Sequence, residues 1–388
     1  MKRLKKTKLS LLIITFLSVN NFAQTAFYNT GNVRMHNNAQ IGFHTNLINN
    51  GTFNNNLGLA GFYSNNETRV VSGNQKTSFY NIEIDAVNNL ELQTSLILTN
   101  ELSFISGKVI TPRNNTTVSL EFKNHNFYAG EGDYTHIDGY ATIIDLNEFT
   151  FPIGDDDRLR PMILPQTQKE SSFLGAYFFE DPNTPTTFTQ NFLTNQKQAF
   201  IENVSTIEFW DLNGTSETSI TLTWDTFSDI PLITNTINQL RVVGWSIAEN
   251  KWVDLGNTNV TGDLTQGKIT SDSFIPNNYE VITIASGFAE NNLTGVNIIF
   301  SPNGDNINET LIFDNLEKYK DNHLEIFNRW GITVYKTKNY KNDWTGVSTG
   351  RATVKTNSKL PVGTYFYILK YSTDELSKIQ KGWIYINR

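Results

Sequence analysis

Cysteine is absent from all 388 residues. Disulfides, thiolate catalysis, cysteine-based metal sites and a lipidated N-terminal cysteine are thereby excluded, and an extracellular chain of this kind must be held together by core burial alone. Charge is sparse, at 18% of residues against 12% aromatic. Alanine is scarce beside asparagine, threonine, serine and glycine, a balance that suits strands and turns rather than helices, so an all-β protein is expected. A basic surplus is missing too. The formal net charge is −7, which argues against nucleic acid as a partner and against electrostatic docking on anionic lipid.

Catalytic signatures are also lacking: no His-Glu-x-x-His, no Gly-x-Ser-x-Gly and no P-loop occurs. The five histidines are scattered, and only Asp133, His136 and Asp138 cluster locally, in an alternation that ordinarily marks the solvated face of a strand rather than a metal site. Asp155, Asp156 and Asp157 are the best candidates for acid/base work, because paired carboxylates flanking a sugar bond drive most glycosidases. Adjacent loop residues point in different directions, however, so a solvated turn paired with Arg158 and Arg160 is the expectation. Trp210, Trp224, Trp245 and Trp252 fall in strand patterns and read as core. No catalytic residue is assigned, and a non-enzymatic protein is expected.

What is present begins with a secretory pattern. Lys2, Arg3, Lys5, Lys6 and Lys8 form a basic segment, Leu9 to Val19 an apolar core too short to span a bilayer with ease, and Ala23 a cleavage point. Residues 1–23 are therefore read as a signal peptide, and the mature chain as having no transmembrane segment. Without those five charges, 26 basic side chains face 38 acidic ones, a net charge of −12.

Residues 24–149 carry closely spaced apolar couples at i, i+2: Ile82 and Ile84, Leu90 and Leu92, Leu96 and Leu98, Leu102 and Phe104, then Leu120 and Phe122. From Ile82 to Phe104 the couples recur at roughly six to eight residues, which suits a β-solenoid, with a β-sandwich as the alternative. Phe149-Thr-Phe-Pro-Ile-Gly154 breaks the pattern, and the boundary is placed there. Residues 150–287 have longer strands and read as an antiparallel β-sandwich. Leu240 and Val242 share one face, Val243 and Trp245 the other, and a tight turn at Glu249-Asn250 would set Ile247 opposite Trp252. Residues 288–292 read as a linker.

Residues 293–388 are the most specific stretch. A strand ending at Ile298 and Phe300 runs into Ser301-Pro-Asn-Gly-Asp305. Leu324-Glu-Ile326, Arg329-Trp-Gly331 and Ile332-Thr-Val334 spell a hairpin. Thr364 to Tyr371 puts Tyr365, Tyr367 and Leu369 on one face and Phe366 and Ile368 on the other, so either both faces are covered or one meets a partner. The strand Trp383-Ile-Tyr-Ile386 closes the chain. Asn303, Asp305, Asn308 and Glu309 offer carboxylate and amide oxygens around Gly304, enough with backbone carbonyls for a Ca²⁺ site. The competing reading is a turn whose side chains cap their own backbone.

The order Ser-Pro-Asn-Gly-Asp, Ile326-Phe-Asn-Arg-Trp-Gly331, Val334-Tyr335, Asn342-Asp-Trp-Thr-Gly346, Gly363-Thr-Tyr-Phe-Tyr367 and Gly382-Trp-Ile384 resembles the gliding-motility-associated C-terminal domain, the type B sorting domain of the type IX secretion system. Asn306 stands where that family usually has Gly, Glu309 where it has Asp, and Val362 where a polar residue is common. The resemblance implies an Ig-like β-sandwich sorting domain at residues 293–388, a translocon of the type IX system as its partner, and a secreted or cell-surface location. On this reading residues 24–287 are an adhesin-like or structural passenger with a surface glycan or protein as ligand. The alternative is a secreted polysaccharide-active enzyme on a β-helix scaffold.

Overall fold

The computed structural model describes residues 26–123, 127–144, 148–165, 171–287, 296, 298–319, 321–349, 358–372 and 377–388. The signal-peptide segment 1–23 and the linker 288–292 lie outside them. The described chain is almost entirely strand, as expected.

From Ala26 the chain winds a β-solenoid. Ala26–Asn29, Asn46–Asn49, Arg69–Ser72, Leu90–Leu92, Val109–Ile110, Ile137–Asp138 and Ile153–Gly154 stack as one parallel sheet. Gln40–Phe43, Leu59–Ser64, Thr77–Ala86, Leu96–Ser106, Leu120–Lys123 and Ala141–Ile144 stack as a second. One coil takes about 20 residues and contributes a strand to each sheet. The six- to eight-residue recurrence in the sequence is therefore not the repeat. It arises because one coil presents inward couples to both sheets, Leu90 and Leu92 to one and Ile82 and Ile84 to the other, and because Leu96, Leu98, Leu102 and Phe104 lie along a single strand with a register shift between its two couples.

Inward side chains stack in columns. Phe79, Leu98, Phe122 and Ile143 are register partners in successive strands, and all are buried. At the first coils Phe43 stacks on Phe62 at 5.0 Å, and Phe53 meets Phe79 edge-on at 5.1 Å, geometries that add to plain area burial. The corners are held by asparagine. Buried Asn29 donates to Asn49 Oδ1 at 2.7 Å, 20 residues on, and Asn49 donates to the Gln75 carbonyl at 3.1 Å. Gly73 follows at φ +116°, where a Cβ would stand 2.1 Å from the Asn49 carbonyl oxygen, so only glycine fits beneath the preceding coil.

The second sheet does not end with the solenoid. Ala141–Ile144 pairs antiparallel with Ser172–Phe178, and the sheet continues through Phe209–Asn213, Tyr279–Gly287, Leu240–Ser246 and Lys251–Asp254. The Ile143 column passes the seam onto Phe173. A five-stranded antiparallel sheet of Phe149–Phe151, Met162–Leu164, Thr221–Trp224, Gly267–Thr270 and Asn259–Gly262 forms the opposing layer. Leu240 and Val242 face this layer in the main core, whereas Val243 and Trp245 face a second cluster closed by Phe188, Phe192 and Phe200. The four tryptophans expected in the core are all there. The hairpin register differs from the expectation: Trp245, not Ile247, lies opposite Trp252, with rings 5.7 Å apart, and Ile247 is exposed. The loop spans Ile247 to Asn250, with only Asn250 at positive φ, so the strands close two residues earlier than a tight turn at Glu249-Asn250 would allow.

The buried carboxylate of Asp211 in this layer is hydrogen-bonded on both oxygens. Tyr140 donates to Asp211 Oδ2 at 2.6 Å and Asn213 to Oδ1 at 2.7 Å. Burial nevertheless pushes the Asp211 carboxyl from about 3.8 up to about 7, with the Tyr140 hydrogen bond opposing. A raised folded-state pKa means that the group stabilises the fold fully below its ordinary pKa, and that this contribution is lost as pH climbs to about 7. Asp211→Asn should therefore gain melting temperature over the parent progressively between pH 4 and 7, with a constant difference above that, as thermal unfolding across pH will show.

Candidate functional site

The acidic residues singled out in the sequence gather at the seam between solenoid and sandwich. Arg113, on the loop after Val109–Ile110, reaches across it. Its guanidinium contacts Asp138 Oδ1 at 2.6 Å and Asp155 Oδ1 at 2.9 Å, and donates to the Gly154 carbonyl at 2.9 Å and the Tyr177 carbonyl at 2.7 Å. Asp155 also accepts from the Phe179 N–H at 2.8 Å. Burial raises the Asp155 pKa, and the Arg113 charge opposes the rise. Lys108 sits beside them, 3.1 Å from Asp157 and bonded to the Asp156 carbonyl at 2.7 Å.

The cations are thus not the ones expected. Arg158 lies over the rings of Phe179 and Phe227 at 3.5 and 4.5 Å. Arg160 is buried, 3.3 Å from Glu208 and 2.7 Å from Asp225, with Tyr177 donating to Glu208 at 2.6 Å. The local trio does not converge either. Asp133 accepts from the Leu159 N–H at 3.0 Å, Asp138 faces Arg113, and His136 is buried with Nδ1 at 3.0 Å from the Gly132 carbonyl. Burial lowers the His136 pKa and keeps it neutral. Asp138, Asp155 and Asp156 bring carboxylate oxygens within 4.8 Å of one another, a separation that could suit a metal. Arg113 already bonds two of the three, so the arrangement is a clamp between two sheet systems. Sequence reading missed Arg113 because its partners lie 25 and 64 residues away. Arg113→Met should leave Asp155 without its cation and Asp138 with only the more distant Lys108, 4.0 Å away, and cost about 3 kcal/mol, read by urea unfolding.

In the C-terminal region Asn303, Asp305, Asn308 and Glu309 do come together in one exposed loop. Asp305 Oδ1 accepts from the Ile307 N–H at 2.8 Å, Asn303 Oδ1 from the Asp305 N–H at 3.0 Å, and Glu309 Oε1 from the Gly304 N–H at 2.6 Å. Asn308 contributes its backbone, its carbonyl accepting from the Ser301 N–H at 2.8 Å. The Ile307 N–H holds the Asp305 carboxyl below the usual range. These oxygens face N–H groups inside the turn, so a cation would have to draw them away. Asp305→Ala should lower the melting temperature whether or not calcium is present. A melting temperature that rises in millimolar Ca²⁺ and loses that rise in Asp305→Ala would establish a calcium site; a flat response is expected of a self-capped turn.

The sheet behind this loop runs in the order Ile299–Phe300, Ser377–Ile386, Gly363–Ser372, Asp321–Phe327, Thr333–Lys338. Its inner face carries Leu324, Ile326, Tyr365, Tyr367, Leu369 and Ile384, closed over by Leu311, Phe313, Tyr340 and Trp344. Asn328 shapes the hairpin turn, its Oδ1 accepting from the N–H groups of Trp330 and Ile332 at 3.0 Å each, while Gly331 takes φ +77°. The turn leaves Trp330 69% exposed beneath the Arg329 guanidinium.

The outer face is open. Register places Phe327, Phe366 and Trp383 in one row across three strands, and Phe366 and Trp383 are 48% and 51% exposed. A shallow groove of about 650 Å³ runs along them beside Arg329 and Lys381. The next row is Lys336, Glu325, Ile368 and Lys381, and the one after it Lys338, His323, Lys370 and Ile379. Glu325 is bonded to Lys336 at 2.8 Å and lies 3.0 Å from His323. The alternation at Thr364 to Tyr371 foretold which side chains share this face.

Residues 294–386 match the CHU_C type IX secretion signal domain. No curated protein matches the chain. The signal domain coincides with the sheet and loop just described, and with the segment whose motifs resemble a type IX sorting domain. The chain thus carries a type IX secretion signal behind a solenoid and an antiparallel sandwich. No helix among the described residues is long and apolar enough to cross a membrane.

Proposed function

We propose that this chain is a non-enzymatic passenger, adhesin-like or structural, exported to the cell surface or the medium by its type IX secretion signal domain. The observation that carries the reading is the match of residues 294–386 to that signal domain. Two features of the remainder support it. Of the three aspartates that suggested acid/base work, Asp155 and Asp157 are engaged in ion pairs with Arg113 and Lys108. A solenoid joined to a sandwich through one continuous sheet is also a rigid mount, suited to holding a surface away from the cell. Its ligand would be a surface glycan or a protein.

The experiment is a truncation with a parallel assay of the passenger. Deleting residues 293–388 should leave the protein in the periplasm, while the full chain reaches the surface or the medium; normal export of the truncated form would sink the sorting reading. Residues 24–290 should release no product from a polysaccharide panel. Hydrolysis that disappears in Asp156→Asn would instead favour the enzyme.

A further inference from the structure

The outer face of the signal domain's sheet departs from what a solvated antiparallel sheet shows. Such a sheet ordinarily alternates apolar side chains inward with polar ones outward. Here the inward set is complete, and outward positions on the three central strands still carry Phe327, Phe366, Ile368, Ile379 and Trp383. Aromatic area left in water over a contiguous, flat patch marks an interaction surface. The charged residues around it are mostly cationic. Lys336, Lys338, Lys370 and Lys381 are all exposed; of the two carboxylates on this face, Glu325 is already paired and Asp321 lies at its far edge, opposite Ser372, on a chain whose net charge is −7.

We propose that this lysine-edged aromatic face is where the secretion signal is read, and that its reader is a protein of the export machinery presenting an apolar seat edged by carboxylates. The inference rests on the sorting reading and adds the surface that performs it. A second copy of the chain is a poorer occupant, since a twofold pairing would bring lysine rows against each other. A bilayer is poorer too, because seating this face in lipid would also bury the exposed charges of Lys336, Lys338, Lys370 and Lys381. The row Phe366–Trp383 is the anchor, the lysines set orientation and approach, and the groove beside Arg329 and Gly331 receives the partner's protruding side chain.

The test uses the full-length protein in cells that export it, with three variants and the deletion of residues 293–388 as reference. Phe366→Ser and Trp383→Ser should each lower the exported fraction about tenfold. Lys370→Glu with Lys381→Glu, which touches no core residue, should lower it severalfold, while the melting temperature of each purified variant stays at the parent value. Parental export of all three variants alongside a trapped deletion would overturn this face and leave the sorting reading standing; export of the deletion would remove the reading beneath it. Two further outcomes would also overturn the proposal: variant-sensitive binding of the purified protein to phosphatidylethanolamine–phosphatidylglycerol vesicles, or a concentration-dependent dimer that the substitutions abolish.

Discussion

The antiparallel pairing of Ala141–Ile144 with Ser172–Phe178 is the contact on which the rest of the passenger depends. A parallel solenoid leaves an unpaired strand edge at each end, and such an edge invites other chains to add on. At the C-terminal end this edge is taken up by the sandwich, which turns the last parallel strand into an interior strand. The inward column runs unbroken from Phe79 through Ile143 onto Phe173, so hydrogen bonding and packing cross the seam together. Arg113 then ties the solenoid's Asp138 and Gly154 to the Tyr177 carbonyl beyond it.

Seen from that seam, the acidic residues that resemble a catalytic group have a mechanical explanation. Where one sheet system gives way to the next, carbonyls near the strand ends, those of Gly154 and Tyr177, turn toward Arg113. One planar guanidinium can meet two of them and two carboxylates at once. The cost is a partly buried carboxylate, visible as the raised Asp155 pKa. The Arg160, Glu208 and Tyr177 group repeats the device deeper in the sandwich.

Much of this was legible from the residues. Alternation placed Tyr365, Tyr367 and Leu369 opposite Phe366 and Ile368, and separated Val242 from Val243, because a strand's period of two is local and survives any tertiary context. What escaped was whatever depends on partners distant in the chain. The coil length was hidden because couples for two sheets interleave. The hairpin at Trp245 and Trp252 was placed two residues off because a four-residue loop and a tight turn share the same polar composition at Ala248-Glu-Asn250. The loop at Asn303 to Glu309 was found, yet its hydrogen bonds run to N–H groups that composition does not show. Arg113 carries no local motif at all.

The stacking of coils also has a consequence for how the passenger bears load. The backbone ladder of each coil pairs only with the coils before and after it, and its strands lie across the solenoid axis. Tension applied at the N-terminal end would therefore meet one coil's ladder at a time and peel the stack in small steps, starting at Ala26–Asn29. At the seam the chain no longer winds: the strand order in the sheet departs from the order in sequence, with Tyr279–Gly287 lying between Phe209–Asn213 and Leu240–Ser246. Pulling there would have to shear several strands together. Under tension the molecule accordingly has an end that yields in small steps and one that resists.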